Sequence, residues 1–178
     1  TCAAGVIAAS SSASSVINID FSETWLGHGR QNAKHNDISK NKCRFIHDDC
    51  ISVIRQFAGL PMKGRAVRRG FKKYQKQSFD IIFLDPPTFS KGRFGAVDIV
   101  SDYQSLFKPA ILSLNSGGEI ICTNHSGKIE MDEWLQSLER CASKAGKKIV
   151  NMHQILPDID FPSPDNRPPL KILAIRFD

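Results

Sequence analysis

Several features that would assign this chain to a common class of protein are missing from its sequence. Its five cysteines form no Cys-x-x-Cys pair, which disfavours a zinc site or a disulfide framework and indicates reduced thiols. No apolar run approaches the roughly 20 residues that a membrane helix needs, and residues 1–5 lack a signal-peptide pattern. A Gly-x-Gly-x-x-Gly motif is also absent, which disfavours a nicotinamide-dependent oxidoreductase. Together these absences predict a cytoplasmic protein with no membrane partner.

Acidic residues are missing between Asp49 and Asp80, and basic residues concentrate in the same stretch. Seven of them fall within 14 residues, and without them the formal charge of +6 would become −1. They are Lys63, Arg65, Arg68, Arg69, Lys72, Lys73 and Lys76. This clustering suits the phosphate backbone of a nucleic acid, and the interleaved Phe71 and Tyr74 are suited to stack on bases. A solvated surface loop is the alternative that the sequence leaves open.

Strands and helices alternate along the chain, and its length of 178 residues fits one domain over residues 1–178. The patterns predict strands at 16–20, 44–47, 79–84, 119–124, 148–156 and 170–177, and helices at 5–13, 22–35, 51–58, 102–114 and 131–145. Residues 115–118 are predicted as a turn. The sequence therefore predicts an α/β fold, with a Rossmann-like, doubly wound and mostly parallel sheet whose last strand is antiparallel.

The segment Leu84-Asp85-Pro86-Pro87-Thr88-Phe89 is the most informative part of the sequence. Two consecutive prolines stop both helices and sheet ladders, so the chain leaves the sheet at the carboxyl end of the preceding strand. Open parallel sheets bind their ligands at this edge. We therefore expect Asp85 beside a cleft, with Phe89 as an aromatic face for a planar substrate such as a nucleobase. A plain strand exit with a solvated carboxylate is the alternative.

Two further acids lie at the ends of predicted strands: Asp20 ends one, and Asp49 follows the next. In an open α/β sheet, both would lie along the same carboxyl-end crevice as Asp85. A carboxylate there can accept hydrogen bonds from a pair of ribose hydroxyls, and the next acid along the sheet can reach an adenine amino group. The three acids in this order predict a nucleoside-binding crevice.

Together these motifs resemble the class I S-adenosylmethionine-dependent methyltransferases, and more narrowly the 23S ribosomal RNA methyltransferases that carry an Asp-Pro-Pro-x-Phe motif. The most specific match is Leu-Asp-Pro-Pro-Thr-Phe-Ser at residues 84–90, followed by Asp102-Tyr103. Further matching stretches lie at residues 1–5, 19–22, 32–36, 48–50, 117–118, 123–125, 160–163 and 168–171. The resemblance implies S-adenosyl-L-methionine as the cofactor and RNA, namely ribosomal RNA, as the partner.

The resemblance also implies site residues. The remnant of the cofactor loop around the methionine moiety would be Thr1, Cys2, Ala3 and Gly5. Asp20, followed by Phe21, would hold the ribose hydroxyls, and Asp49, with Cys50 beside it, would contact adenine. The residues facing the methyl sulfonium and the target base would be Asp85, Pro86, Pro87 and Phe89.

The chain departs from this family in one structural respect. The family has a strand before the position of Thr1, and this central strand is missing from the sequence. We therefore expect the chain to be the carboxyl-terminal part of a longer protein, or a domain with impaired cofactor binding. A homodimer is a further possible assembly.

A second departure concerns the target atom. Cytosine-C5 enzymes of this type need a cysteine nucleophile where this sequence reads Asn124-His125, and Cys122 is expected inside the strand as inert core. Guanine N7 is already nucleophilic and needs only positioning. The leading hypothesis is therefore methylation of RNA at a base nitrogen such as guanine N7. Alternatives are a catalytically silent RNA-binding domain and a small-molecule methyltransferase, while His125 could contact the base or cap the next turn.

Overall fold

The computed structural model describes residues 2–62, 67–68, 70–92, 95–98, 102–158, 163 and 169–178. The positions that lie outside the described residues include Thr1, Lys63, Arg65 and Arg69, together with residues 160–162 and 168 of the matching stretches. The chain divides into two compact units, Thr1–Val53 and Ile54–Asp178, and a single domain stays a prediction. Among the described helices, none has both the length and the apolar character to cross a membrane.

The first unit contains two parallel strands, and along the chain a helix precedes and follows each of them. Its elements are α1 (Ala3–Ser10), β1 (Val16–Asp20), α2 (Glu23–His35) and β2 (Cys43–His47), followed by α3 (Cys50–Phe57), which continues into the second unit. Val16 lies opposite Cys43 and Asp20 lies opposite His47. Ser22 caps α2 as predicted, because its hydroxyl accepts a hydrogen bond from the amide of Trp25.

The second unit contains the Asp-Pro-Pro segment and the larger sheet. Its elements are β3 (Phe79–Leu84), β4 (Phe89–Gly92), β5 (Gly95–Asp98), α4 (Gln104–Leu112), β6 (Leu114–Asn124), α5 (Met131–Lys144), β7 (Ile149–Ile155) and β8 (Lys171–Phe177). Four strands form one sheet in the order β3-β6-β8-β7, and β4 pairs with β5 in a separate hairpin. β3 and β6 are parallel, whereas β8 runs antiparallel to both β6 and β7. The predicted α/β class with an antiparallel last strand is confirmed.

The predicted turn at residues 115–118 is wrong, because β6 runs through it. Phe79 lies opposite Leu114, but Ile81 already lies opposite Glu119, so β6 carries the extra residues as a bulge. Gly117 has a φ of 75°, which permits the bulge without steric strain. The hairpin of β4 and β5 was not predicted either, since its sequence has little strand periodicity.

One face of the four-stranded sheet forms the core of the second unit. Large side chains that are fully buried include Phe107, Ile120, Trp134, Leu138, Ile175 and Phe177. The ring centroids of Phe107 on α4 and Phe177 on β8 lie 6.3 Å apart, so α4 packs on this face. Alternate residues of β3 point the other way, and there Ile81 is 65% exposed.

Candidate active site

Asp85 is the first residue beyond β3, and the sheet register places it next to Thr123. β3 and β6 are parallel with Leu84 opposite Cys122, so the following residue of each strand lies side by side. The hydroxyl of Thr123 donates to Asp85 Oδ1 over 2.5 Å. Because Thr123 is only 5% exposed, this hydrogen bond is shielded from water on the threonine side.

The same carboxylate oxygen is bonded a second time by His125. Its Nε2 lies 2.8 Å from Asp85 Oδ1. An ionised carboxylate only accepts hydrogen bonds, so the imidazole must carry its proton on Nε2. Asp85 Oδ2 has no hydrogen-bond partner within the described residues. One oxygen is therefore fixed by two donors, while the other can accept from a bound molecule.

A buried tyrosine fixes the backbone of Thr123, the residue that donates to Asp85. The hydroxyl of Tyr103 donates to the carbonyl of Thr123 over 3.1 Å, and its ring packs edge-on against Trp134 with centroids 5.6 Å apart. Burial raises the pKa of Tyr103 well above its usual range, so the hydroxyl keeps its proton. Tyr103, the second residue of the Asp102-Tyr103 motif, thus holds the strand end that carries the donor to Asp85.

The loop after β6 is held by two further contacts. The amide of Ser126 donates to Asn124 Oδ1 over 2.8 Å, so Asn124 caps the turn. Lys171 Nζ donates to the carbonyl of Ser126 over 2.7 Å and to that of Pro169 over 3.2 Å. Burial lowers the pKa of Lys171. His125 therefore contacts Asp85 instead of capping the turn, and its contact with a base stays a prediction.

The proline corner leads into an open cavity. Pro86 is buried, whereas Pro87 and Thr88 are exposed and Phe89 is 55% exposed. A cavity of about 380 Å³ is lined by Thr88, Phe89, Asp98 and residues 125–128. Phe89 and His125 thus border the same space, and His125 is the residue that bonds Asp85. The geometry offers an aromatic face and a fixed carboxylate on one side of the sheet.

In the first unit, Asp20 is the last residue of β1, and Asp49 lies two residues beyond the end of the neighbouring parallel strand β2. Asp20 Oδ1 accepts a hydrogen bond from the amide of Ser22 over 2.8 Å. Asp49 Oδ1 accepts from the amide of Ser52 over 2.9 Å, so it caps α3. In both residues the other oxygen has no partner within the described part of the chain. Local turns therefore use one oxygen of each carboxylate and leave the second available.

The residues flanking these acids differ in exposure. Phe21 is 55% exposed, and its carbonyl lies 2.9 Å from His47 Nε2. Cys50 begins α3 and is exposed at the surface. Their predicted contacts with the ribose and the adenine stay predictions.

The predicted cofactor loop is described from Cys2 onward. Cys2 has a φ of 53° and precedes α1, whose first residue is Ala3. A Cβ atom on Gly5 would lie 2.0 Å from Asn18 Oδ1, so glycine is required here for α1 to approach β1. Close helix–strand packing thus explains Gly5 without a ligand, and the role of this loop in cofactor binding stays a prediction.

Cys122 lies inside β6, as the sequence predicted. The residue is fully buried, and burial raises the pKa of its thiol to about 12. Its side chain alternates with that of Thr123, so it points to the core face and away from Asp85. The buried thiol and the carboxylate of Asp85 therefore lie on opposite faces of the sheet.

Four cations of the predicted RNA-binding segment are described, and all are exposed: Arg68, Lys72, Lys73 and Lys76. The side chain of Gln56 on α3 holds this segment, since its amide donates to the carbonyl of Lys72 and accepts from the amide of Tyr74, both over 3.0 Å. Tyr74 packs edge-on against Phe57 with ring centroids 6.0 Å apart. This packing gives Tyr74 a structural role, whereas base stacking stays a prediction.

Curated relatives of this chain are found among ribosomal RNA methyltransferases. The Ribosomal RNA large subunit methyltransferase K/L of Psychrobacter sp. (strain PRwf-1) is 33% identical over 139 residues, which cover 76% of this chain and 15% of that protein. The protein of the same name from Shewanella sp. (strain ANA-3) is 32% identical over 134 residues, covering 74% of this chain and 17% of that protein. The matches thus span about a sixth of these relatives' length. No protein-family profile matches the chain.

Solved structures show the same fold at low sequence identity. A SAM Dependent Methyltransferase from Agrobacterium tumefaciens has a TM-score of 0.67 and 20% identity, covering 98% of this chain and 52% of that one. SMU.776 complexed with SAH has a TM-score of 0.67 and 18% identity, covering 91% of this chain and 39% of that one. The chain has the class I methyltransferase fold. The expected resemblance is confirmed, and the chain belongs to the family of ribosomal RNA large subunit methyltransferases.

Proposed function

We propose that this domain transfers a methyl group from S-adenosylmethionine to a base nitrogen of large-subunit ribosomal RNA, namely guanine N7. The observation that carries the proposal is the state of Asp85, with one oxygen fixed by Thr123 and His125 and the other available. The names of the curated relatives support ribosomal RNA as the substrate, and the solved neighbour complexed with SAH supports the cofactor.

Guanine suits the free oxygen of Asp85. Its N1–H and its exocyclic amine are both donors, and a carboxylate is acceptor-only when ionised. The exposed ring of Phe89 borders the same cavity as His125 and offers a stacking surface to the purine. Bound cofactor supplies an electrophilic methyl group. The N7 lone pair would form the new bond to this methyl group while the bond from methyl to sulfur breaks and its electron pair leaves with S-adenosylhomocysteine. Because N7 loses no proton, the residues need only orient the base and exclude water.

The state of Cys122 supports N7 over cytosine C5. Methylation at C5 requires a thiolate that forms a covalent bond with the base. Burial raises the pKa of the Cys122 thiol to about 12, and the side chain lies on the core face of β6. The residue therefore lacks both the ionisation and the position that the covalent route needs.

The first unit offers acceptors that fit the nucleoside part of the cofactor. Asp20 and Asp49 are both partly buried, and each keeps one oxygen without a partner within the described residues. Acceptors at the ends of adjacent parallel strands suit ribose hydroxyls and an adenine amino group. The proposed roles are that Asp20 holds the ribose and Asp49 the adenine. A homodimer stays a prediction.

The test is a comparison of turnover with cofactor affinity in Asp85 variants. Asp85→Ala should lower turnover on RNA far more than it changes the dissociation constant for S-adenosylmethionine, because it removes positioning of the base alone. Cys122→Ser is the matched control and should keep nearly the parental rate. An active Asp85→Ala protein together with an inactive Cys122→Ser protein would overturn the N7 assignment in favour of C5.

A further inference from the structure

The first unit contains a second cavity, larger than the one beside Phe89. It has a volume of about 810 Å³ and is formed by the second half of α2, the connection after it and β2. Its apolar lining includes Ala33, Ile38, Phe45 and Ile46. Four cations, Arg30, Lys34, Lys40 and Arg44, also line it. We call this cavity the β2 groove.

The charge of the β2 groove is strongly positive. Asp37 is the one carboxylate among the described residues that line it. Arg30 forms an ion pair with Glu23, but Lys34, Lys40 and Arg44 are exposed and have no ion-pair partner within the described part of the chain. These three unpaired cations line one cavity although they come from three successive segments: α2, the connection after it, and β2. Such convergence suits a polyanion.

The floor of the β2 groove suits planar groups. The guanidinium of Arg30 lies 5.9 Å from the ring centroid of Phe45. β2 pairs only with β1 among the described strands, so its other edge carries no strand. An aromatic and a guanidinium beside unpaired cations are the elements with which proteins bind single-stranded nucleic acid, because bases stack while phosphates meet the cations.

We propose that the β2 groove binds single-stranded RNA. The inference rests on the proposed function, since it takes the polyanion to be a segment of the substrate RNA. An acidic peptide added as a strand to the edge of β2 is the competing occupant. Strand addition would be recognised by alternate side chains along that edge. The cations instead come from three different segments, with only Arg44 on the strand itself, which favours a flexible phosphate backbone.

The experiment measures RNA binding by a triple variant, Lys34→Gln, Lys40→Gln and Arg44→Gln. The probe is a short fluorescent single-stranded RNA of mixed sequence, titrated without cofactor at several salt concentrations. Losing three phosphate contacts should flatten the salt slope by about 2, because each contact contributes about 0.7 on single strands. Near 0.1 M salt this corresponds to affinity weaker by on the order of 100-fold.

The matched control also replaces one arginine and two lysines, all exposed on the second unit: Arg140→Gln, Lys144→Gln and Lys148→Gln. It should stay close to the parental affinity and slope. Equal losses in both triple variants, or no loss in either, would overturn the inference. The inference would also be overturned if poly-glutamate with the same number of negative charges bound the protein more tightly than the RNA and displaced it. Groove-dependent RNA binding without methyl transfer would instead refute the proposed function and leave RNA binding by the groove standing.

Discussion

Thr123→Val is the substitution that most directly tests how the site works. Valine keeps the shape of threonine but removes the hydroxyl that donates to Asp85 Oδ1 over 2.5 Å. A hydrogen bond to a charged group contributes about 1.5–3 kcal/mol, and this one belongs at the lower end because Asp85 is 54% exposed although Thr123 is buried. We therefore expect turnover to fall by about tenfold, since about 1.4 kcal/mol corresponds to a factor of ten.

The assay is methyl transfer to RNA under single-turnover conditions, with cofactor affinity measured separately by calorimetry. Thr123→Val should leave cofactor affinity within about twofold, because the hydroxyl orients the base and not the cofactor. Thr123→Ser retains a hydroxyl and should recover most of the rate. If the serine variant is as slow as the valine variant, packing and not the hydrogen bond explains the loss.

His125 supplies an internal check on the same reasoning. His125→Leu removes the second donor, but both partners are about half exposed, so its effect should be smaller than that of Thr123→Val. His125→Gln retains an amide donor and should fall between parent and leucine variant. Because both donors bond one oxygen, the double variant Thr123→Val/His125→Leu should be non-additive. Independent, additive losses would refute a shared role at Asp85.

Two further predictions follow from other contacts. Asp20→Ala should weaken S-adenosylmethionine binding, measured by calorimetry, by about 1.5–3 kcal/mol for each hydrogen bond lost. Unchanged affinity would remove Asp20 from the site. Asp20→Asn is the control for the local turn, because its side chain can still accept the hydrogen bond from the amide of Ser22. The second concerns Cys122, whose thiol pKa rises from an ordinary 9.0 to about 12 on folding. The folded protein therefore holds this proton more tightly than the unfolded chain. The contribution of the protonated thiol to the stability of the fold is complete below pH 9 and is lost between pH 9 and 12. In urea titrations over that window Cys122→Ala should lessen the fall in the free energy of unfolding by up to about 1.4 kcal/mol per pH unit, and an unchanged pH slope would contradict the assignment.

The elements with strong local patterns could be predicted from the sequence. β1 and β3 begin and end as predicted, because runs such as Phe79–Leu84 end at residues that cannot continue a strand. Residues 115–118 could not be assigned correctly, since Gly117 signals a turn and a bulge equally well. Their place inside β6 depends on pairing with β3, which is a long-range contact.

The sequence pointed to the region of the candidate site but could not predict its contacts. Asp85 and Phe89 were identified from the proline corner, and the structure places both beside His125. The hydrogen bond from Thr123 could not be predicted, because it depends on the register between β3 and β6. The support from Lys171 was missed as well, since a lysine in a strand gives no signal that its ammonium group is buried.

The position of β8 determines when the site can form during synthesis. β8 lies between β6 and β7 in the sheet although it follows both in the chain, so β7 has no strand partner until β8 is added. Lys171, the first residue of β8, also holds the carbonyl of Ser126. A nascent chain that has emerged only as far as β7 therefore lacks both a complete sheet and the anchored loop of His125. The loop that carries His125 should therefore reach its final position only after β8 has emerged from the ribosome.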